Sequence, residues 1–177
     1  MTDADSLYDA CAELLAAAAS ALDEVEPGAP ARRYVAGGQV ALDCEQLTVH
    51  PAPIGLAETQ PLQPVLEPSR RIVRANVNLV GLVVTIVRCV PVAALNGDRL
   101  TLPTVEALDA SAQVTSRDGW QLWNGLKRRH RDNTLLPDAC RDVLLQPCVP
   151  IDPAGGFGGW QLIVRTNLDG IPEPAGS

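Results

Sequence analysis

Apolar residues first recur at helical spacing. Leu7, Cys11, Leu14, Leu15, Ala18 and Leu22 form one stripe, which predicts a helix over residues 3–25. Asp5 and Asp9 suit the positive end of its dipole, and Pro27-Gly28 stops it. The period then changes to two. Residues 32–35 begin an extended stretch, Val40, Leu42 and Cys44 alternate with Ala41, Asp43 and Glu45, and Leu47-Thr48-Val49 continues. This predicts a strand over 40–49 with a change of face near Gln46.

The longest β-pattern covers residues 71–90. Odd positions from Val73 to Cys89 are small or apolar apart from Thr85, while even positions carry Arg74, Asn76 and Asn78, then Val80, Leu82, Val84 and Ile86. One face stays apolar and the other switches from polar to apolar near Val80. The first half is therefore expected to be wet on one side and the second half covered on both. Unbroken, such a strand would extend about 65 Å at roughly 3.3 Å per residue. Gly81 marks the place for a bulge or bend. The polar-faced first half is expected to project.

Before this run, Pro51, Pro53, Pro61, Pro64 and Pro68 exclude regular helix over 51–69 and argue against a central strand. Two readings stand: a surface loop, or an arm that orders against a neighbouring subunit. After the run, Asn96-Gly97-Asp98 predicts a turn and residues 100–102 a short strand. Thr104 caps a second helix over 104–130, with Val105, Leu108, Ala112, Trp120, Trp123 and Leu126 as its apolar side and residues 116–119 as a site of bending. Lys127, Arg128, Arg129 and Arg131 place cations at its negative end, read as a solvated cap. A β-pair closes the chain, with strands over 140–149 and 160–169 and a flexible connection over 152–159. The glycines at 155–159 lead into a period-two strand with no lysine after them. That pattern fits a hairpin loop or a close backbone approach better than a phosphate loop.

Together these elements predict an α+β fold: a central, mostly antiparallel sheet with two main helices packed on it and a projecting β-arm or long loop at about 50–78. A single domain is expected over 1–170, followed by a flexible tail at 171–177.

Composition narrows the function. The chain has 177 residues, 46% hydrophobic but only 3% aromatic, so its core must be built from Leu, Val, Ile and Ala. A formal charge of −7 argues against a protein that holds nucleic acid by neutralising phosphates, though an acidic wall could let DNA pass without sticking. Cys11, Cys44, Cys89, Cys140 and Cys148 are odd in number and lack metal-ligand spacing. They read as reduced, mostly buried small hydrophobes in a protein that folds in a reducing cytoplasm. No metal or cofactor is expected. The acidic N-terminus lacks the cationic start of a secretory signal, and the longest apolar run, 79–87, is too short to span a bilayer. His50 and His130 have no nucleophile set beside them in sequence. The remaining catalytic alternative is a small cytoplasmic enzyme that uses a cysteine nucleophile.

The order of segments carries a resemblance. An Ala-rich helix leads to LDCEQLTVHP and a Pro-rich arm, then VNLVGLVVTIVRCVP, a helix with DGWQLWNGLKR, and GGFGGWQLIVRTNLDG. From about Ala10 to Gly170 this resembles the tail terminator and neck proteins of long, non-contractile-tailed phages that infect actinobacteria. The resemblance implies a small domain with a sheet and flanking helices, assembled into a six-fold ring. Such a ring would end tail-tube polymerisation in the virion neck and join tail to head, after assembly in the bacterial cytoplasm. Its partners would be copies of itself, the major tail tube protein and the head–tail connector or stopper protein. DNA would cross the lumen without specific binding, and no membrane would be involved. A head–tail stopper or adaptor is the neighbouring alternative. The interface candidates are Pro61 and Pro64 of the arm, Arg70, Arg71, Arg74, Asn76 and Asn78, and Gly156, Phe157 and Trp160 of the glycine-rich hairpin.

Overall fold

In the computed structural model the described residues are 3–38, 40–52, 79–96, 99–136 and 140–168. Helix α1 spans Asp3–Leu22. It buries Cys11, Leu14, Ala18 and Leu22 of the expected stripe together with Ala10, Ala17, Ala19 and Ala21, while Leu7 and Leu15 are half-buried. Its end comes three residues earlier than the sequence predicts. There the Asp23 carboxylate accepts a hydrogen bond from Ala29 N at 2.8 Å and pairs with Arg33 at 3.2 Å, folding the chain back.

Strand β1, Arg32–Val35, runs parallel to β2, Gln46–Pro51, and β2 is antiparallel to β3, Leu79–Cys89. The long β8, Phe157–Leu168, lies antiparallel on the other side of β3. Beyond it, β6, Cys140–Leu145, pairs with the C-terminal part of β8, and β7, Val149–Ala154, with its N-terminal part. The sheet order is β1-β2-β3-β8-β6, antiparallel except at β1–β2, and the α+β prediction holds.

β3 is the second half of the run over 71–90, and it occupies the centre of the sheet. Val80, Leu82, Val84 and Ile86 join the core beneath the helices, and Val83, Thr85 and Val87 on the opposite face are buried as well. Coverage of both faces is what the uninterrupted apolar pattern requires. Gly81 makes no bulge: it pairs in continuous register with Arg165, and a Cβ there would lie 3.0 Å from the Ala52 side chain. The first half of the run and residues 53–78 of the arm lie outside the described residues, while His50 and Pro51, at the expected start of the arm, are the last residues of β2.

Helix α2, Val105–Arg131, is unbroken through 116–119, so the expected bend is absent. It crosses α1 where Gly125 meets Ala21, a contact too close for any side chain at 125. Leu122 and Leu126 complete a core with Leu14, Leu22, Leu47, Leu82, Ile86 and Leu162. Both helices thus pack on the sheet, α1 mainly over β1 and β2 and α2 mainly over β8.

Three strand expectations need correction. The strand expected over 140–149 is two: β6 ends at Leu145 and β7 begins at Val149, with Pro147, which has no N–H for a ladder, in the break. Residues 40–45 are not strand: Glu45 takes a positive φ of 54°, and the Asp43 carboxylate accepts from Cys44 N at 2.8 Å. A short side chain that bonds the backbone locally competes with a sheet ladder, and here it wins. The segment 152–159 is not a flexible connection. β7 and β8 meet in a two-residue turn at Gly155-Gly156, both with positive φ, the geometry of a tight hairpin that favours glycine. Gly159 lies so close to the Ile86 carbonyl that no Cβ fits, so the glycine run serves both as hairpin and as close approach.

Candidate assembly surface

Two short strands, β4 (Ala94–Asn96) and β5 (Arg99–Thr101), form a separate hairpin just before α2. Its Leu95 is 73% exposed and Leu100 60%, and the flanking Val92 and Leu102 are exposed too. A lone two-stranded hairpin is marginal in water, and an apolar surface on one is more so.

The first half of α2 continues this exposed surface. Thr104 caps it, its hydroxyl accepting from Ala107 N at 3.2 Å, and Glu106 sits in the first turn. Val105 and Leu108, expected in the core, are exposed, as are Ala112 and, further on, Trp120. Burial begins at Asp118 and follows Asp118, Gly119, Leu122, Gly125 and Leu126. Of the six residues read as the apolar side, only Leu126 is buried and Trp123 partly so.

The change occurs at an anchor. Arg88, at the end of β3, donates to both Asp118 oxygens at 2.7 and 3.1 Å, to Glu45 at 2.9 Å, and to the Gly28 carbonyl. Arg88 and Asp118 are both buried. Burial acts to lower the Arg88 pKa, but hydrogen bonds to Asp118 and Glu45 outweigh it and hold the guanidinium charged. Burial pushes the Asp118 carboxyl up, while its bond to Arg88 pulls the other way. The paired geometry supplies the compensation that a buried charge needs. Beside it the Trp160 ring lies on Gly119, leaving no room for a side chain, and its Nε1 donates to the Thr115 carbonyl at 2.7 Å.

Between the exposed half of α2 and the β7–β8 hairpin lies a cleft of about 360 Å³, lined by Val90, Leu108, Ala112, Pro150, Pro153 and Trp160 among others. None of its lining residues is charged. Of the sequence candidates, Trp160 is therefore both anchor and cleft wall. Gly156 forms the hairpin turn, its carbonyl accepting from Val90 N at 2.8 Å and from the Cys44 thiol at 3.5 Å, and Phe157 follows half-buried. Pro61, Pro64, Arg70, Arg71, Arg74, Asn76 and Asn78 lie outside the described residues. The sequence reading missed Leu95, Leu100 and Leu102; their only local signal is an apolar cluster around a tight turn with no periodic partner.

The basic end of α2 is partly engaged: Arg128 pairs with Glu24 at 3.1 Å, Arg129 donates to Ser20, and Lys127 lies over the Trp123 ring. Cys11 is buried, Cys44 and Cys148 half-buried, and Cys89 exposed. The Cys89 thiol is pushed up to about 11 by its hydrogen bond to Cys44 and by desolvation, and burial pushes Cys148 to about 11. A nucleophilic cysteine needs the opposite shift. His50 bonds its neighbour's carbonyl through Nδ1 at 3.1 Å. Among the described residues no His/Cys/Asp/Glu cluster could hold a metal ion, and no helix is long and apolar enough to cross a membrane. No protein-family model matches the chain, and no curated protein matches it.

Proposed function

We propose that this chain is a structural subunit that assembles with copies of itself into a closed ring. The ring is the tail terminator of a long, non-contractile-tailed phage, capping the tail tube and offering the head its joining surface. The observation that carries the reading is the exposed apolar hairpin β4–β5, continuous with the uncovered first half of α2. Apolar surface concentrated on one projecting unit marks a contact site, and a hairpin that is marginal alone is stabilised by a neighbour.

Other features support it. The net charge of −7 suits a conduit that must not bind its DNA cargo. The raised Cys89 and Cys148 thiols give no support to the cysteine-enzyme alternative. The segment resemblance supplies the tail-terminator assignment, with the tube protein and the stopper as partners and the virion neck as the location.

The test is cryo-microscopy of particles carrying a labelled copy of the chain. Density for a ring at the last tube layer is the expected result. A ring on the capsid side would make the protein a stopper or adaptor instead, and absence from the neck would overturn the reading.

A further inference from the structure

The hairpin and the cleft are two apolar surfaces formed by different residues of one molecule. The hairpin offers Leu95 and Leu100, with Leu102 beside them, all at least 60% exposed. The cleft offers about 360 Å³ between α2 and the β7–β8 hairpin, walled by Val90, Leu108, Ala112, Pro150, Pro153 and Trp160. The cleft lining carries no charge, and the three exposed hairpin side chains are aliphatic.

The hairpin does not fill its own cleft, since its leucines stand in solvent in the same structure. Nor is the cleft built for a polar small molecule. Such sites orient their ligand with a few convergent polar groups, whereas here the hydroxyls come from Ser111, Thr115 and Ser116, and Thr115 already donates to the Ser111 carbonyl at 2.9 Å.

We infer that the cleft between α2 and the β7–β8 hairpin receives the β4–β5 hairpin of the neighbouring copy. This rests on the ring reading and specifies its contact. Because knob and cleft are different surfaces, the contact is head-to-tail, and repetition of one such contact closes a ring when its rotation permits. Leu95 and Leu100 enter as anchors, and the exposed Val105–Leu108 side of α2 widens the contact. Stable interfaces bury about 1,200–2,000 Å² in total, more than one short hairpin supplies. Trp160 lines the cleft. Its Nε1 bond to the Thr115 carbonyl fixes the ring in place before the partner arrives, which lowers the ordering cost of association.

The experiment uses two variants of the full chain that change exposed positions. L95R/L100R spoils the knob, and Ala112→Trp blocks the cleft. Sedimentation velocity reads assembly, and circular dichroism confirms folding. The wild-type chain is expected to assemble, and each variant alone to remain monomeric at concentrations about tenfold above those at which wild type is assembled. L95S/L100S, which adds no charge, should show the same loss. Mixed together, L95R/L100R and Ala112→Trp should form a one-to-one dimer, because the mixture retains one intact knob and one intact cleft. Assembly of Ala112→Trp like wild type, or a mixture that stays monomeric, would overturn the cleft as the receptor while leaving the ring reading in place. A wild-type chain that never assembles would overturn the ring reading itself.

Discussion

From Asp118 onward α2 turns Asp118, Gly119, Leu122, Gly125 and Leu126 inward, while the same helix before that point leaves Val105, Leu108 and Ala112 in solvent. Both halves share one unbroken hydrogen-bonded backbone. They differ in what lies beside them: sheet and α1 pack on the half from the Arg88–Asp118 pair onward, whereas the half before it faces an open cleft across from the β7–β8 hairpin. Most helical stability in proteins comes from packing rather than propensity, so the first half depends on its cap and its continuation into the anchored half. The contrast separates residues that hold the fold from residues available to a partner.

The sharpest way to break that contrast is at the anchor. Asp118→Ala leaves Arg88 buried with only the half-exposed Glu45 as an acidic partner, and chemical denaturation should show a loss of about 3–5 kcal/mol. The two halves can then be compared with one substitution type. Leu122→Ala should cost about 2–5 kcal/mol through the cavity it leaves, whereas Leu108→Ala should change monomer stability by no more than about 0.5 kcal/mol. Similar losses from the two would contradict the division. Gly119→Ala forces a methyl against the Trp160 ring and should cost about 1–3 kcal/mol, with a change in tryptophan fluorescence as the ring shifts. Thr104→Ala should cost about 1 kcal/mol, seen as faster amide exchange in the first turns of α2 and not beyond Asp118.

The smallest effect is chemical. Cys89 and Cys148, at about 11 against an ordinary 9.0, carry roughly a hundredfold less thiolate at pH 8 than a free cysteine. Alkylation at both should be slow at pH 8 and rise steeply toward pH 11. Because the folded state holds these protons more tightly than the unfolded chain, the same groups should reduce stability as pH rises from about 9 to 11. A fast thiol at neutral pH would contradict the assignment.

Where a pattern is local, the sequence was readable. Most of the α1 stripe and the coverage of both faces over residues 82–87 follow from spacing alone, and the structure agrees on both. α2 was misread because hydrophobicity pointed to Val105, Leu108, Ala112 and Trp120. The residues that actually seat the helix include Asp118, Gly119 and Gly125, whose value depends on Arg88, Trp160 and Ala21, each distant in sequence. A buried carboxylate and two glycines carry no apolar signal. Likewise the alternation at 40–45 looked like strand until a positive φ at Glu45 and the Asp43 side chain turned the chain. Of the interface candidates, Gly156, Phe157 and Trp160 fall among the described residues, where Gly156 forms the hairpin turn and Trp160 lines the cleft.

The central claim is that the exposed β4–β5 hairpin and first half of α2 are covered by a second copy. Native mass spectrometry or sedimentation of the full chain tests it directly. One closed species is expected, six copies of the 18.8 kDa chain, with little at intermediate mass. A chain that remains a monomer as concentration is raised would contradict it.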